Sequence, residues 1–261
     1  MDKRITLQDA AALLEDGQTL ALGGMTLYRR PVAFVRALLQ RARPPRDLTL
    51  LAFTASFESD LLVGAGLVRR VRTCYFGLET YGLAPMFTQA VTAGEVKVIE
   101  ETEASLGFGL RAALAGVGFM PGQGWLGTDL LKARPDVRVI EDPYTGRDVV
   151  AFPAITCDVA VIHALRADYA GNVVLGGNLA VDAELAMVAS QTLVTAEEVV
   201  EKLPGPVDIG SISVTAVVEA PHGAWPTSCY PRYPVDGGEI LDYSEACPDG
   251  FSAYLEAFTG P

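Results

Sequence analysis

The segment Asp16-Gly17-Gln18-Thr19-Leu20-Ala21-Leu22-Gly23-Gly24-Met25 places a turn, a short apolar strand and a pair of glycines in direct succession. Arg29-Arg30-Pro31 follows, and proline is favoured at the first position of a helix. Because glycine has no Cβ, a Gly-Gly pair lets the backbone approach a ligand closely. The helix N-terminus beyond it adds unpaired N–H donors and a partial positive charge. This order favours an α/β protein that binds an anionic or thioester ligand, and a plain turn is the alternative.

Strand patterns alternate with helical patterns through residues 19–164. Apolar and β-branched runs predict the strands, which are Thr19–Leu22, Leu48–Phe53, Val71–Phe76, Glu95–Ile99, Val137–Ile140, Val149–Phe152 and Val159–Ala164. Helices are predicted from Pro31, over Pro85–Val91 and over Thr102–Ala115. This alternation is typical of βαβ units and predicts an α/β fold with a largely parallel sheet. Ligands of such sheets bind at the carboxyl ends of the strands, where Gly23-Gly24 lies.

The domain organisation follows from length and from the composition of the C-terminal part. A chain of 261 residues can form one large α/β domain or two small ones, and it contains no clear linker. We therefore expect a single domain over residues 1–261. From about residue 220 the segment Ala220-Pro221-His222-Gly223-Ala224-Trp225-Pro226 begins a tail rich in proline, glycine and aromatic residues. Such a tail is not regular structure in isolation, so we expect it to wrap the domain or to dock on a partner.

Charge and composition exclude several classes of function. A formal net charge of −12 argues against a surface that binds nucleic acid or an anionic membrane. No apolar run approaches the ~20 residues that cross a bilayer, and Met1-Asp2-Lys3-Arg4 leads into an amphipathic helix rather than a signal peptide. We therefore expect a cytoplasmic protein. The four cysteines form no CxxC pair and no metal-ligand spacing with His163 or His222, so no metal is expected.

Three groups of polar residues have both a functional and a structural interpretation. Arg29 and Arg30 follow the glycine pair and could bind a carboxylate or phosphates, or could be solvated surface residues. Glu103 lies in the first turn of a predicted helix, where the macrodipole alone favours an acidic residue. His163 could form a proton relay with Asp168 and Asn172, or could be a structural histidine bonded to a loop.

Other enzyme signatures are absent from the sequence. Ser56, Ser59 and Ser105 lie in no GxSxG elbow, which disfavours a serine-hydrolase triad. The glycine pair is not part of a GxGxxG motif, and no GxxxxGK[ST] motif occurs. Nicotinamide and nucleoside-triphosphate chemistry are therefore not indicated.

The ordered set of segments resembles the α (A) subunit of family I CoA-transferases, especially the glutaconate CoA-transferase branch. The family signature is an Asp/Asn-Gly turn, a strand, Gly-Gly-Phe and a nearby proline. Here it runs from Asp16-Gly17 to Pro31, with Met25 in place of phenylalanine and Arg29 where many relatives have glycine. The resemblance spans nearly the whole chain and includes the segments Asp60–Arg70, Gly77-Leu78-Glu79, Pro85-Met86-Phe87, His163-Ala164, Gly171-Asn172-Val173 and Ala220-Pro221-His222-Gly223.

The resemblance implies a three-layer α/β/α fold and a reaction that moves CoA from an acyl-CoA to a free carboxylic acid. In the family a glutamate attacks the thioester and becomes a glutamyl-CoA thioester. In two-subunit members that glutamate belongs to the β subunit, in a Ser-Glu-Asn-Gly-like stretch that this sequence lacks. We therefore expect a heterodimer or an α2β2 heterotetramer, with coenzyme A as a substrate and no permanently bound cofactor.

The expected site residues follow from the resemblance together with the charges of this chain. The loop Gly23, Gly24, Met25 and Thr26 would face the acyl thioester. By charge matching, Arg29 and Arg30 are candidates for binding a substrate carboxylate, as in a dicarboxylic acid such as glutaconate. The polar lining would come from Glu79 and Glu103.

Glu103 leaves the reaction type open. It stands where related transferases place an amide of the oxyanion hole, and an ionised glutamate would repel an oxyanion. Relatives with glutamate here include a hydrolase that opens a cyclic CoA thioester in steroid breakdown. A ring-opening hydrolase subunit with Glu103 as the catalytic carboxylate is therefore one alternative. A non-catalytic scaffold that binds acyl-CoA is another.

Overall fold

A seven-stranded sheet, parallel at every strand pair, forms the centre of this computed structural model, which describes residues 1–260. The strands of the protein are, in chain order, β1 (Thr19–Leu22), β2 (Leu48–Ala55), β3 (Val68–Phe76), β4 (Lys97–Glu100), β5 (Phe119–Gly122), β6 (Arg138–Glu141), β7 (Asp148–Pro153), β8 (Cys157–Ala164), β9 (Arg166–Asp168), β10 (Val173–Val174), β11 (Ala189–Ala196), β12 (Val199–Val200) and β13 (Ala216–Glu219). The large sheet has the order β13-β11-β8-β1-β2-β3-β4. The predicted α/β fold with a largely parallel sheet is confirmed.

Helices cover both faces of this sheet. They are, in chain order, α1 (Leu7–Ala12), α2 (Val32–Leu39), α3 (Phe57–Gly64), α4 (Pro85–Thr92), α5 (Glu103–Leu114), α6 (Leu130–Ala133), α7 (Asp182–Val188), α8 (Gly237–Ala246) and α9 (Phe251–Thr259). Side chains alternate between the faces of a strand, so Leu20 and Leu22 pack with α1, α2, α3 and α9, whereas Ala21 packs with α5 and α7. The layers are therefore α/β/α. Within residues 1–260 no helix has the length and apolar character needed to cross a membrane.

A second sheet, antiparallel, is formed by residues 119–153 in the order β5-β7-β6. The strands predicted at Val137–Ile140 and Val149–Phe152 exist, but they belong to this sheet and not to the parallel one. The reason is the connection between them, a turn over residues 142–147. Parallel neighbours need a crossover of about a dozen residues or more, so such a short turn permits only an antiparallel hairpin.

The C-terminal segment lies against the sheet face that carries α1, α2 and α3. Its helices α8 and α9 place Ile240, Tyr243 and Phe258 in the main hydrophobic core. Phe57 of α3 contacts Tyr243 and Phe258 edge-on, with ring centroids 5.0 Å and 5.5 Å away. The sequence predicted a tail without regular structure in isolation, and helices form here because their apolar residues pack on α3.

Asp60 joins this C-terminal segment to two other helices. Its buried carboxylate accepts the backbone N–H groups of Met86 (3.2 Å) and Phe87 (2.6 Å), at the start of α4, and the hydroxyl of Tyr243 (2.6 Å). One side chain of α3 thereby contacts α4 and α8. Burial disfavours the charged form and raises the pKa of Asp60 from 3.8 to about 6, although the three hydrogen bonds act in the opposite direction.

Acidification from pH 7 to pH 5 is expected to stabilise the fold through Asp60. Because the pKa is about 6 in the folded state and 3.8 for an unperturbed aspartate, the folded chain holds a proton between these values that the unfolded chain has lost. The free energy of unfolding should rise by about 1 kcal/mol over this pH step. Urea denaturation at both pH values measures it, with Asp60→Asn as the variant that cannot titrate. An identical pH response of the two proteins would contradict this prediction.

Candidate active site

The loop that follows β1 is held by hydrogen bonds within the protein. The backbone N–H groups of residues 23–26 donate, in order, to the carbonyl of Val161, a carboxylate oxygen of Asp182, the carbonyl of Tyr28 and the hydroxyl of Thr54. From the sequence, free donors for a ligand are expected here. That expectation is corrected, because a backbone N–H that is already bonded inside the protein is not available to an oxyanion.

Close packing within the protein explains the two glycines. A Cβ on Gly23 would lie 2.4 Å from Oδ1 of Asp182, a distance that real Cβ atoms essentially never show. Gly24 has a φ of +85°, in the left-handed region, and its Cβ would lie 2.6 Å from two carbonyl oxygens of the same loop. Both glycines are buried, whereas Met25 and Thr26 are partly exposed. A ligand can therefore meet this loop only at Met25 and Thr26.

Arg29 and Arg30 lie inside the protein, and both side chains are 0 % exposed. Arg29 pairs with Asp182 at 3.0 Å and donates to the carbonyl of His163 at 2.8 Å. Arg30 pairs with Glu58 at 2.5 Å. A buried charge is tolerated when it is paired, and both guanidinium groups are paired inside the protein with no exposed surface that a substrate could reach. The structure therefore corrects the expectation that these two arginines bind a substrate carboxylate.

His163 belongs to a buried network at the end of β8. Its Nε2 lies 2.8 Å from Glu197, and its Nδ1 lies 2.9 Å from the hydroxyl of Thr195. Burial lowers the pKa of His163, so the ring is neutral. Burial opposes ionisation of Glu197, but its bonds to His163, Tyr233 and the N–H of His222 hold its pKa below the usual value. An ionised carboxylate only accepts, so Nε2 carries the proton and Nδ1 accepts from Thr195.

These contacts favour a structural role for His163 over a role in a proton relay or as a metal ligand. Asp168, the suggested relay partner, is instead bonded to the side chain of Asn172 at 2.9 Å. His163, Glu197 and Cys229 do bring three metal-ligand atoms within 4.8 Å of one another. However, the nitrogens of His163 are engaged, and burial raises the pKa of Cys229 to about 12, which disfavours the thiolate a metal requires. These residues do not fit a metal centre.

The start of α5 directs Glu103 outward. Thr102 and Ser105 form a reciprocal capping box, in which each side chain accepts the backbone N–H of the other at 3.2 and 2.8 Å. Glu101 is buried and pairs with Arg134 at 2.7 Å. Thr102 and Ser105 therefore cap the helix, and Glu101 is the glutamate that points into the protein, so neither role is left for Glu103. Glu103 is exposed, and its side chain forms no hydrogen bond with any residue in the range 1–260.

Glu103 lines a pocket of about 270 Å³, whose lining does not include residues 23–26. Phe53 and Val181 line it, and their chain neighbours Thr54 and Asp182 are the residues that hold the loop. Phe53 lies near the carboxyl end of β2, so the pocket is at the edge of the sheet where ligands of parallel sheets bind. Its remaining lining residues come from α5 and from the start of α7; they are Ala104, Gly107, Phe108, Arg111, Ala180 and Glu184.

The structure brings together only some of the predicted site residues. Glu79 lies in a short 3-10 helix after β3, exposed, with a φ of +56°, and it does not line this pocket. Sequence reasoning missed Asp182, which is 158 residues from Gly24 and carries no local signal. It also missed Arg111, although the spacing of eight residues from Glu103 places both on one face of a helix.

Comparisons with known proteins identify the family. A family model described as Coenzyme A transferase matches residues 4–220. The chain is 32% identical to the α (A) subunit of 3-oxoadipate CoA-transferase from Pseudomonas knackmussii, over 99% of this chain and 94% of that protein. It is 33% identical to a cholesterol ring-cleaving hydrolase IpdA subunit of Rhodococcus jostii, over 98% and 92%. It is also 35% identical to an uncharacterised protein of Archaeoglobus fulgidus, of whose length it spans only 59%.

Structural comparison agrees with the sequence comparison. The crystal structure of glutaconate coenzyme A-transferase from Acidaminococcus fermentans superposes with a TM-score of 0.90 at 30% identity, over 98% of this chain and 88% of that one. The match includes the three-layer architecture and extends through the C-terminal segment. The chain therefore belongs to the coenzyme A transferase family, and within it to the α, or A, subunits.

Proposed function

We propose that this chain is the α subunit of a heteromeric CoA-transferase that moves CoA between an acyl-CoA and a free carboxylic acid. The observation that carries the proposal is the open pocket at the carboxyl end of β2, which is lined by Glu103, an exposed residue whose side chain forms no hydrogen bond within residues 1–260. Family membership supports the reaction type. The apolar walls at Phe53 and Val181 suit an acyl chain, and the exposed loop residues Met25 and Thr26 suit the thioester end.

The attacking carboxylate is assigned to a β subunit that faces this pocket. The reaction requires a glutamate that attacks the thioester and becomes a glutamyl-CoA thioester. This sequence has no Ser-Glu-Asn-Gly stretch. Gly23 and Gly24 are covered by their own chain, but the pocket lined by Glu103 is open, so a side chain of a second subunit can enter it. The assembly is a heterodimer or α2β2, and coenzyme A is a substrate rather than a bound cofactor.

CoA exchange is expected only when both subunits are present. The chain is purified alone and in complex with a CoA-transferase β subunit, and exchange of CoA between an acyl-CoA and a labelled free acid is measured. The complex should exchange, because it contains the attacking glutamate, and the isolated chain should not. Robust exchange by the isolated chain would contradict the assignment of the attacking glutamate to the β subunit. Binding of acyl-CoA without exchange in the complex would instead support the scaffold alternative.

A second candidate is a CoA-dependent hydrolase in which Glu103 acts as a base. An ionised carboxylate only accepts hydrogen bonds, whereas an oxyanion hole needs donors, and Glu103 is exposed and without a bonding partner in the range 1–260. The Rhodococcus jostii relative is named as a ring-cleaving hydrolase subunit, at an identity close to that of the transferase relative. This observation makes Glu103 the residue that separates the two reactions.

The variant Glu103→Gln is expected to distinguish them. If Glu103 lies beside a developing oxyanion, the amide should maintain or raise the rate of transfer, because it can donate a hydrogen bond. If Glu103 is a base, the rate should fall by a factor on the order of 100 or more. Steady-state kinetics of the complex measure the effect. Glu100→Gln is the matched control, an exposed glutamate three residues earlier that does not line the pocket. If the Glu103→Gln complex still transfers CoA at the original rate, Glu103 does not act as a base.

A further inference from the structure

The connection between β5 and β6, residues 123–137, contacts the start of α5 through a buried arginine. Arg134, which is 5% exposed, donates to the carboxylate of Glu101 at 2.7 Å and to the backbone carbonyl of Glu100 at 2.8 Å. These two acceptors immediately precede the N-cap of α5, and Glu103 is the first residue of that helix. The antiparallel sheet is thereby bonded to the helix end that carries the carboxylate of the pocket.

Asp136 and Trp125 fix the orientation of the Arg134 guanidinium group. Nε and Nη2 of Arg134 each donate to one oxygen of the Asp136 carboxylate, both at 2.8 Å. The guanidinium carbon lies 5.8 Å from the ring centre of Trp125. The bond to Asp136 is the main cause that raises the pKa of Arg134, so the group stays charged. Because the guanidinium is planar, this bidentate contact directs the remaining nitrogen, Nη1, toward the start of α5.

Glu101 connects Arg134 to the first turn of α5. One oxygen of its buried carboxylate accepts from Arg134, and the other accepts from the hydroxyl of Ser105. Ser105 in turn accepts the backbone N–H of Thr102 at 2.8 Å. The residues before and after Glu103 are therefore held in place, whereas the Glu103 side chain forms no hydrogen bond with any residue in the range 1–260.

The charge of Glu101 is balanced mainly by Arg134. The side chain of Glu101 is 3% exposed, and its other cationic neighbour, Arg72, lies 3.7 Å away, beyond hydrogen-bond distance. A buried carboxylate that loses its partner is strongly unfavourable and must turn toward water. Because Glu101 directly precedes the N-cap residue Thr102, such a movement would displace the first turn of α5.

We propose that Arg134 is a positioning residue that fixes the place of the Glu103 carboxylate in the pocket. Arg134 does not line the pocket, and it acts through Glu101 and the first turn of α5. This inference rests on the proposed function, since it makes the rate of the reaction depend on where Glu103 lies. The role is the same for transfer and for hydrolysis, because both place the Glu103 carboxylate beside the reacting group.

Steady-state kinetics of the complex with the β subunit test this role. Arg134→Gln should lower kcat by about 10- to 100-fold, the size expected when a reacting group is displaced by about 1 Å. KM should change by less than about threefold, because the pocket lining remains. Arg134→Lys keeps the charge but not the fork, so its kcat should fall less, and it provides the same test if Arg134→Gln does not fold. The matched control is Lys132→Gln, which removes an exposed cation that pairs with Asp129 and should change neither constant.

A double-mutant comparison shows whether Arg134 acts through Glu103. In Glu103→Ala there is no carboxylate to position, so adding Arg134→Gln should lower kcat further by less than about twofold. If Arg134→Gln lowers kcat equally in the presence and absence of Glu103, its role is merely structural and the inference is overturned.

Hydrogen exchange separates this inference from the proposed function, because it needs no turnover. The amides of Ser105 and Leu106 are bonded to Thr102, and their exchange in the complex should accelerate in Arg134→Gln but not in Lys132→Gln. If no transfer occurs but this exchange accelerates, the role of Arg134 in holding α5 stands and the transfer function fails. If transfer occurs and Arg134→Gln changes neither the exchange nor kcat, the inference is overturned and the transfer function stands.

Discussion

The buried ion pair between Arg29 and Asp182 is the interaction on which the geometry of the site depends. One oxygen of Asp182 accepts the N–H of Gly24 and the other accepts from Arg29, which also donates to the carbonyl of His163. The pair therefore joins the loop after β1, the end of β8 and the start of α7. Removing one partner of such a pair leaves a buried charge uncompensated, at a cost of about 3–5 kcal/mol. Gly23 is required because Asp182 occupies the space that a Cβ would need.

The Arg29–Asp182 pair belongs to a buried inner wall of the site, formed by the loop after β1, the two arginines and His163. The pocket lined by Glu103 is open to the outside. Most polar groups of this buried region bond within the protein, as shown by the loop N–H groups, the Arg29–Asp182 and Arg30–Glu58 pairs and the His163–Glu197 pair. Within the described residues, Nε of Arg29 and both Nε and Nη1 of Arg30 have no hydrogen-bond partner. The start of α5 is equally well fixed, because Thr102 bonds both Ser105 and the indole of Trp125. Few polar side chains in this region remain free to meet a ligand. On α5, Glu103 and Arg111 line the pocket, with Gly107 midway between them in the helix, and neither forms an ion pair within residues 1–260.

Relatives with the same fold have names of different reaction types. The chain is 32% identical to a named CoA-transferase subunit and 33% identical to a named ring-cleaving hydrolase subunit. A shared fold preserves the sheet and the inner wall, whereas reaction type depends on individual side chains in the pocket and on what a partner contributes. A carboxylate or an amide at position 103 changes whether the wall accepts or donates a hydrogen bond.

Elements with local signals could be predicted from the amino-acid sequence. The strand Thr19–Leu22 and the helix start at Pro85 were predicted to the residue, and α5 to within one residue at each end, because turns, prolines and capping residues act over a few positions. The short 142–147 turn already indicated an antiparallel hairpin. The general alternation of strands and helices nevertheless led to the wrong prediction that both flanking strands belong to the parallel sheet. The sequence alone did not predict that Arg29 and Arg30 are buried or that Glu103 and Arg111 line a pocket. Both results depend on how distant segments of the chain pack together. The reason is physical: whether a charged side chain is buried or exposed depends on its partners, and Asp182 is 153 residues away from Arg29 in the chain.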